Sequence, residues 1–467
     1  MTKHELAVTP AIEISEELIR RFDSLGPRYT SYPTADRFNS EFDANSYIRY
    51  LKQRSDAKEK PPLSLYIHIP FCASLCYYCA CNKVITKDHG RSAKYLEYLE
   101  KELNLVVSHL QDKEVVSQLH LGGGTPTFLS HAELRQLMAM LHAHFDFSDD
   151  AEISIEIDPR TVTTETLQLL AELGFNRTSL GVQDFDAEVQ KAVHRIQPFE
   201  MVERTITDSR DAGFQSINFD LIYGLPKQNL ESFSKTLDLV IALSPDRIAL
   251  YNYAHLPTRF KPQRRIAESD LPSAEQRLQI FMMSLRRLLD EGYIYIGLDH
   301  FAKPDDSLAK ATLDKSIHRN FQGYTTRADC DLIALGLSAI GKIGNSYVQN
   351  LRTLDEYYGC LDKGNLPVEK GFDLSSDDLL RRQVIMDLMC SKAIDFAQIG
   401  QQYDIRFKEY FAKELDQIQI YADEGLIVLN DEGVSIAPKG RLFVRAVGMA
   451  FDQYLSRQTL AKYSRLI

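Results

Sequence analysis

The chain lacks any hydrophobic run near the roughly 18 residues that a membrane helix needs, although 44% of its 467 residues are hydrophobic. Its opening, MTKHELAVTPAIEISEELIRRF, is mixed and acidic, with no apolar core of a signal peptide. A cytoplasmic protein is therefore expected, in a compartment that keeps thiols reduced. No basic run exceeds two arginines, and the net charge is −11. A phosphate backbone would repel such a surface, so nucleic acid is not an expected partner. A small anionic substrate is compatible, because a few placed arginines can bind one. There is no low-complexity tract, and no repeat beyond an alternation of strand and helix signals.

Cysteine is also scarce. There are seven, yet four crowd into CASLCYYCACNK (72–83): Cys72, Cys76, Cys79 and Cys81. Reduced surroundings argue against a disulfide framework. Cys330, Cys360 and Cys390 stand apart and read as ordinary buried residues.

From residue 63 to about 300, strand-like and helical segments alternate. LSLYIHI (63–69), VSQLHL (116–121), EISIEI (152–157), RTSLGV (177–182), SINFDLI (216–222) and RIALYNY (247–253) have strand character. Helical spacing fills the gaps, as in HAELRQLMAMLHAHF (131–145) and LESFSKTLDLVIAL (230–243). Repeated βα units imply parallel strands with right-handed crossovers. The expected fold class is α/β, an incomplete (β/α)6 barrel. An N-terminal arm (1–60) precedes the barrel domain and its extension (61–370). A mainly helical, winged-helix-like domain (371–467) follows, with a hairpin at LIVLNDEGVSIAP (426–438). Residues 375–424 carry ten acidic and six basic side chains, so this domain reads as a packing or lid element, not a DNA reader. The arm's GPRYTSYPTA (26–35) reads as extended and turn-rich, too polar for a core element.

Polar groups and glycines gather just after the strands. The cysteines follow the first and GGGTPT (122–127) the second. Glu156 and Asp158 end the third, Gln183 and Asp184 the fourth. Asp220 lies in the fifth, and NYAHLP (252–257) leads out of the sixth. In β/α barrels this rim holds the chemistry.

Cys72, Cys76 and Cys79 form Cys-x3-Cys-x2-Cys. Thiolates suit zinc or iron–sulfur clusters. Zinc would need a fourth ligand, and Cys81 points away from Cys79 if the loop is extended. Three thiolates on a four-iron cluster leave one iron open. The spacing resembles that of the radical S-adenosylmethionine superfamily. That resemblance implies a [4Fe–4S] cluster on Cys72, Cys76 and Cys79. The cofactor would chelate the open iron and be cleaved to a 5′-deoxyadenosyl radical.

CASLCYYCAC, the arm GPRYTSYPTA and the phrases LYIHIPFC, IEIDPR, GVQDF, DLIYGLPKQ, YNYAHLPT, DHFAKPDD and HRNFQGYTT narrow the resemblance. Together they resemble the bacterial oxygen-independent coproporphyrinogen III oxidase family over nearly the whole chain. The resemblance implies oxidative decarboxylation of two propionates of coproporphyrinogen III to vinyls, in porphyrin (haem) biosynthesis. Two S-adenosylmethionines would be used per turnover. An electron donor and an acceptor are implied but not identified, and a monomer is expected. Tyr66, Gly123, Glu156 and Ile340 would line the first S-adenosylmethionine. Tyr78, Gly124, Thr125, Gln183, Arg195, Asp220 and Ala254 would line a second. Cys81 would serve catalysis, and Arg28, Arg319 and Asn320 would receive substrate carboxylates. A related haem-binding chaperone and a haem-opening radical enzyme are the alternatives. The chaperone branch lacks the fourth cysteine and the long arm. Ala80 departs from the glycine expected in many relatives.

Overall fold

The computed structural model describes residues 16–22, 24–327 and 330–455. The chain divides into two compact units, each assembled from separated stretches. The larger holds residues 38–287 and 329–373, and the smaller holds 1–37, 288–328 and 374–467. These units cross the arm, barrel and C-terminal boundaries drawn along the sequence. Spatial packing, unlike composition, need not follow chain order.

The larger unit is built on β1 (Leu63–Ile69), β2 (Glu114–Gly123), β3 (Phe145–Ile157), β4 (Arg177–Gln183), β5 (Ser216–Tyr223), β6 (Arg247–Asn252), β7 (Asp331–Leu335), β8 (Ile340–Ile343), β9 (Ser346–Asn350) and β10 (Val368–Asp373). The order is β10-β9-β8-β7-β1-β2-β3-β4-β5-β6. It is linear, so the sheet does not close into a ring, and the expected incomplete barrel is present. Strands β1 to β6 run parallel. So does β7 beside β1, whereas β8 to β10 are antiparallel. These last four strands come from a stretch whose small residues gave a weak sequence signal.

Helices cross between the parallel strands: α1 (Gly90–Val107), α2 (His131–His144), α3 (Thr164–Glu172), α4 (Ala187–Ala192), α5 (Phe199–Asp211) and α6 (Leu230–Leu243). Their starts are encoded locally. Ser130 and Glu133 form a capping box at α2, and Asn229 and Ser232 form one at α6. Each such cap contributes about 1 kcal/mol. Helix α6 buries Phe233, Thr236, Leu237 and Val240, one stripe at helical spacing.

Strand alternation divides the sheet's two faces. Leu65, Ile67, Leu119, Leu121, Ile155, Leu180, Phe219 and Leu221 are fully buried. The opposite face carries Tyr66, His68, His120, Ser154, Glu156, Ser179, Asn218 and Asp220. A polar lining results without a break in the apolar core.

The smaller unit packs the helix Ser376–Met389 against a three-stranded sheet that includes the expected hairpin, Ile427–Leu429 with Gly433–Ile436. Its core joins Leu380, Val384, Leu388, Phe407, Phe411, Val434 and Phe451. Some of its many acids are used internally. Asp395 caps the helix Phe396–Tyr403, and Asp377 and Glu414 pair with Arg381. Tyr29 and Tyr32 belong to the same core, at 1% and 0% exposure. This corrects the expectation that the arm around 26–35 is too polar for a core. The backbone bends over residues 30–33, both rings are buried, and the Tyr29 hydroxyl donates to Asp452 at 3.0 Å. The arm's first fifteen residues lie outside the described residues. Of the isolated cysteines, Cys390 is buried as expected, while Cys330 and Cys360 are only partly so.

Candidate active site

Hydrogen bonds joined by one ring stack run across the polar face of the sheet. The Tyr66 hydroxyl meets His68 Nδ1 at 3.1 Å, and the Tyr66 ring stacks on His120 at 5.9 Å. His120 bridges Ser154 Oγ at 2.7 Å and Glu156 Oε1 at 3.3 Å. Glu156 Oε2 accepts from Gly123 N at 3.1 Å. Three predicted residues, Tyr66, Gly123 and Glu156, thus share one network. Burial raises the Tyr66 phenol and lowers His68, which favours the neutral form of each. Asp220 accepts from Ser179 Oγ at 2.8 Å and Asn218 Nδ2 at 2.9 Å, and burial pushes it up to about 6. His68 and His120 escaped the sequence reading. Their signal was parity: each alternates with buried aliphatics, in step with Tyr66 and Gly122.

The glycine run is locked to the cysteine loop. Ile69 is opposite Gly123 in the β1–β2 ladder. Beyond it, Gly124 N donates to Ile69 O at 2.8 Å and Thr125 N to Phe71 O at 2.9 Å. Thr125 Oγ1 then donates to Cys72 Sγ at 3.5 Å. Gly123 has φ +116°, and a Cβ there would fall 2.7 Å from the His68 ring. At Gly124 a Cβ would fall 2.7 Å from the Pro70 carbonyl. Only glycine permits this approach. The loop is further pinned by Val84 N to Pro70 O at 2.7 Å, Thr86 N to Cys72 O at 3.0 Å and Tyr77 N to Val193 O at 2.9 Å.

All seven cysteines are free thiols. Cys72 lies within electrostatic reach of both Cys76 and Cys79. Among the described residues no three His, Cys, Asp or Glu side chains close around a single ion. A four-iron cluster sets different demands. Each thiolate holds a separate iron, so the sulfurs stand further apart. The reduced thiols, the polar donors on their sulfurs and the glycine cradle beside them fit that group. The expectation that Cys81 points away from Cys79 was tied to an extended loop, whereas the chain turns at Tyr77–Tyr78 and bends at Cys81. Hydrogen bonding from Cys81, with Lys83 nearby, lowers Cys79 to about 6 against the effect of burial.

The remaining predicted residues lie along the later strands. Gln183 ends β4 at φ +67°. Arg195 is buried and donates to Gly181 O at 2.6 Å, Gln197 Oε1 at 3.1 Å, Asp158 Oδ2 at 3.1 Å and Cys76 Sγ at 3.6 Å. Tyr78 and Ala254 are joined by a residue the sequence did not flag. Buried Gln263 donates from Nε2 to Tyr78 O at 3.0 Å and to Ala254 O at 3.2 Å, and accepts from Leu256 N at 2.6 Å.

Ile340 begins β8, and the turn before it is anchored by Glu102. That carboxylate accepts from Gly336 N at 2.7 Å, Asn350 Nδ2 at 2.6 Å and Tyr357 Oη at 2.5 Å. Burial pushes Glu102 up from 4.5 to about 7. A raised acid binds its proton more tightly in the folded state, so its stabilising effect is complete below about pH 4.5 and is lost as pH rises through about 7. The loss is roughly 3 kcal/mol at most. Thermal unfolding followed across this window should show a steeper fall in stability for the wild type than for Glu102→Gln. Parallel curves would refute the assignment.

The three candidates for substrate carboxylates lie in the smaller unit. Arg28 forms an ion pair with Asp299. Arg319 donates to Tyr29 O at 3.2 Å and Arg28 O at 3.3 Å. Asn320 Oδ1 accepts from Gln322 N at 2.9 Å.

A cysteine loop leaving the first parallel strand, clasped by a glycine run on the second, is the build of a radical S-adenosylmethionine enzyme. Residues 66–240 match the model of the Radical SAM superfamily, and residues 374–443 match the HemN C-terminal domain. The oxygen-independent coproporphyrinogen III oxidase of Pseudomonas aeruginosa is 51% identical over 453 residues, which is 97% of this chain and 98% of that one. Its Escherichia coli counterpart is 45% identical over 96% of this chain and 98% of its own. The solved structure of coproporphyrinogen III oxidase (HemN) from Escherichia coli superposes with a TM-score of 0.90, covering 95% of this chain and 99% of that chain. The chain belongs to the oxygen-independent coproporphyrinogen III oxidase family.

Proposed function

We infer that the chain catalyses the oxygen-independent oxidative decarboxylation of coproporphyrinogen III, converting two propionates to vinyls and giving protoporphyrinogen IX in haem biosynthesis. The observation that carries this is family membership over nearly the full chain, at 51% identity to the Pseudomonas aeruginosa oxidase. A propionate β-carbon has an unactivated C–H bond that no side-chain base can deprotonate. The [4Fe–4S] cluster and S-adenosylmethionine supply the radical chemistry that removes this hydrogen atom.

The chain's own residues would prepare the site. Cys72, Cys76 and Cys79 would hold the cluster. Gly123 and Gly124 would admit the cofactor's methionine end, which the absence of Cβ atoms supports. Glu156 would take hydrogen bonds from a ribose or amino group, supported by its half-exposed side chain beside Gly123. Gly124, Thr125, Gln183, Arg195, Asp220, Tyr78 and Ala254 would serve a second S-adenosylmethionine, with Ile340 and Tyr66 at the first. Seven free thiols support a cytoplasmic location. The self-contained core of each unit supports a monomer. An external reductant would charge the cluster, and an external acceptor would take the electron left on the substrate.

The test is anaerobic turnover of purified protein with S-adenosylmethionine, a reductant, coproporphyrinogen III and cell extract as a source of acceptor. Protoporphyrinogen IX should accumulate through a one-vinyl intermediate, with two 5′-deoxyadenosines formed per substrate converted. Cofactor cleavage without a vinyl product, together with tight haem binding, would overturn the assignment in favour of a chaperone. Ring-opened haem would overturn it in favour of haem degradation.

A further inference from the structure

Two guanidinium groups converge on one thiol. Arg160 Nη2 lies 3.5 Å from Cys76 Sγ, and Arg195 Nη1 lies 3.6 Å from the same sulfur. Both cations share Asp158, whose Oδ2 accepts from Arg160 Nη2 at 2.6 Å and Arg195 Nη1 at 3.1 Å. Asp158 Oδ1 also accepts from Arg160 N at 3.1 Å and Nε at 2.9 Å, fixing the arginine at the head of the 3-10 turn Pro159–Thr161. Cys76, Asp158 and Arg195 are each at most 8% exposed. Two cations and one carboxylate leave a net positive charge against the Cys76 sulfur. The other thiols are served differently. Cys72 accepts from the neutral Thr125 hydroxyl, and Cys79 has the single cation Lys83.

We propose that the Arg160–Asp158–Arg195 network sets the reduction potential of the iron–sulfur cluster through Cys76, with Arg160 as the positioning residue that tunes it. This rests on Cys76 being a cluster ligand. One-electron reduction adds negative charge that is shared with the thiolate sulfurs. A cation donating to one of those sulfurs favours the reduced state and raises the potential. Burial strengthens the effect, because water screens it little. Arg195 also ties Gly181 O and Gln197 into the end of β4, so replacing it would disturb the sheet. The side-chain donors of Arg160 go to Asp158 and Cys76, which makes it the separable part.

The experiment is potentiometry of the reconstituted full-length protein without substrate, with the reduced cluster read by electron paramagnetic resonance and iron counted in each sample. Arg160→Gln should keep its iron and become about tenfold harder to reduce, a fall of about 59 mV for one electron. Arg160→Lys, which keeps the charge, should fall less. Asp158→Asn removes the counter-charge and should shift the potential the opposite way, upward. General loosening of the loop would not give opposite signs. Unchanged potentials in iron-replete Arg160→Gln and Asp158→Asn, or shifts of the same sign, would overturn the proposal. If Arg160→Gln takes up no iron, the direction of the Asp158→Asn shift decides. If neither takes up iron, the network serves assembly and the proposal fails. Full iron in Cys76→Ser would instead refute the ligand assignment itself, whatever the arginine variants do.

Discussion

Cys76→Ser protein will be colourless and will retain about a tenth of the wild-type iron or less. Cys72→Ser and Cys79→Ser will behave alike. The reasoning starts from ligand chemistry. A serine hydroxyl is hard and stays protonated near neutral pH, whereas an iron–sulfur cluster needs soft thiolates. Three ligands already leave one iron open, so loss of another removes a third of the protein's hold. Within the loop only Cys81 remains, beside Cys79 and not at the vacated position. Cys330, Cys360 and Cys390 lie outside the 72–83 loop, and Cys390 is buried. Cys76 is the most enclosed of the three thiols, at 8% exposure, and faces two guanidiniums. Its serine variant should therefore leave those cations without the thiolate they face. Iron and sulfide analysis after anaerobic reconstitution decides the matter. Full retention in any one variant would remove that cysteine from the ligand set.

Much of this site was legible in the sequence, because its strongest signals are local. Spacing alone marked the cysteine loop. β-Rich composition marked β1 at 63–69 without error, and helical spacing did the same for α6 at 230–243. β3 was read too short, since it begins at Phe145, where FDFSDD has no buried alternation to announce it. Strands β8 to β10 were barely visible, because short antiparallel strands of small and polar residues carry little periodicity. The links between distant residues were not legible at all. Gln263 meets Tyr78 across 185 positions, and Glu102 meets Gly336 across 234. Nothing local in the sequence announces such partners. The arm shows the opposite failure. Its prolines and polar residues concealed two tyrosines that sit in a hydrophobic core.

Cys81→Ser protein, in contrast, will keep its iron and its visible spectrum and lose turnover by roughly a hundredfold, the low end of what a positioned proton donor supplies. Cys81 is exposed, two residues beyond Cys79, and its thiol donates to that sulfur. An exposed donor on a neighbouring thiolate is well placed to pass a proton or hydrogen atom to a bound ligand and poorly placed to enclose a cluster. Serine keeps the hydroxyl donor and nearly the same volume, so the loop should fold and bind iron. What serine cannot supply is a weak S–H bond, and hydrogen bonding with Cys79 raises the Cys81 thiol well above its usual value, so it keeps its hydrogen near neutral pH. The variant thus separates architecture from chemistry. Iron content and absorption report the first, and vinyl formation per cofactor cleaved reports the second. Unchanged vinyl formation would take Cys81 out of the reaction. If the iron is lost as well, Cys81 is a fourth thiolate ligand and no cluster iron remains open to S-adenosylmethionine.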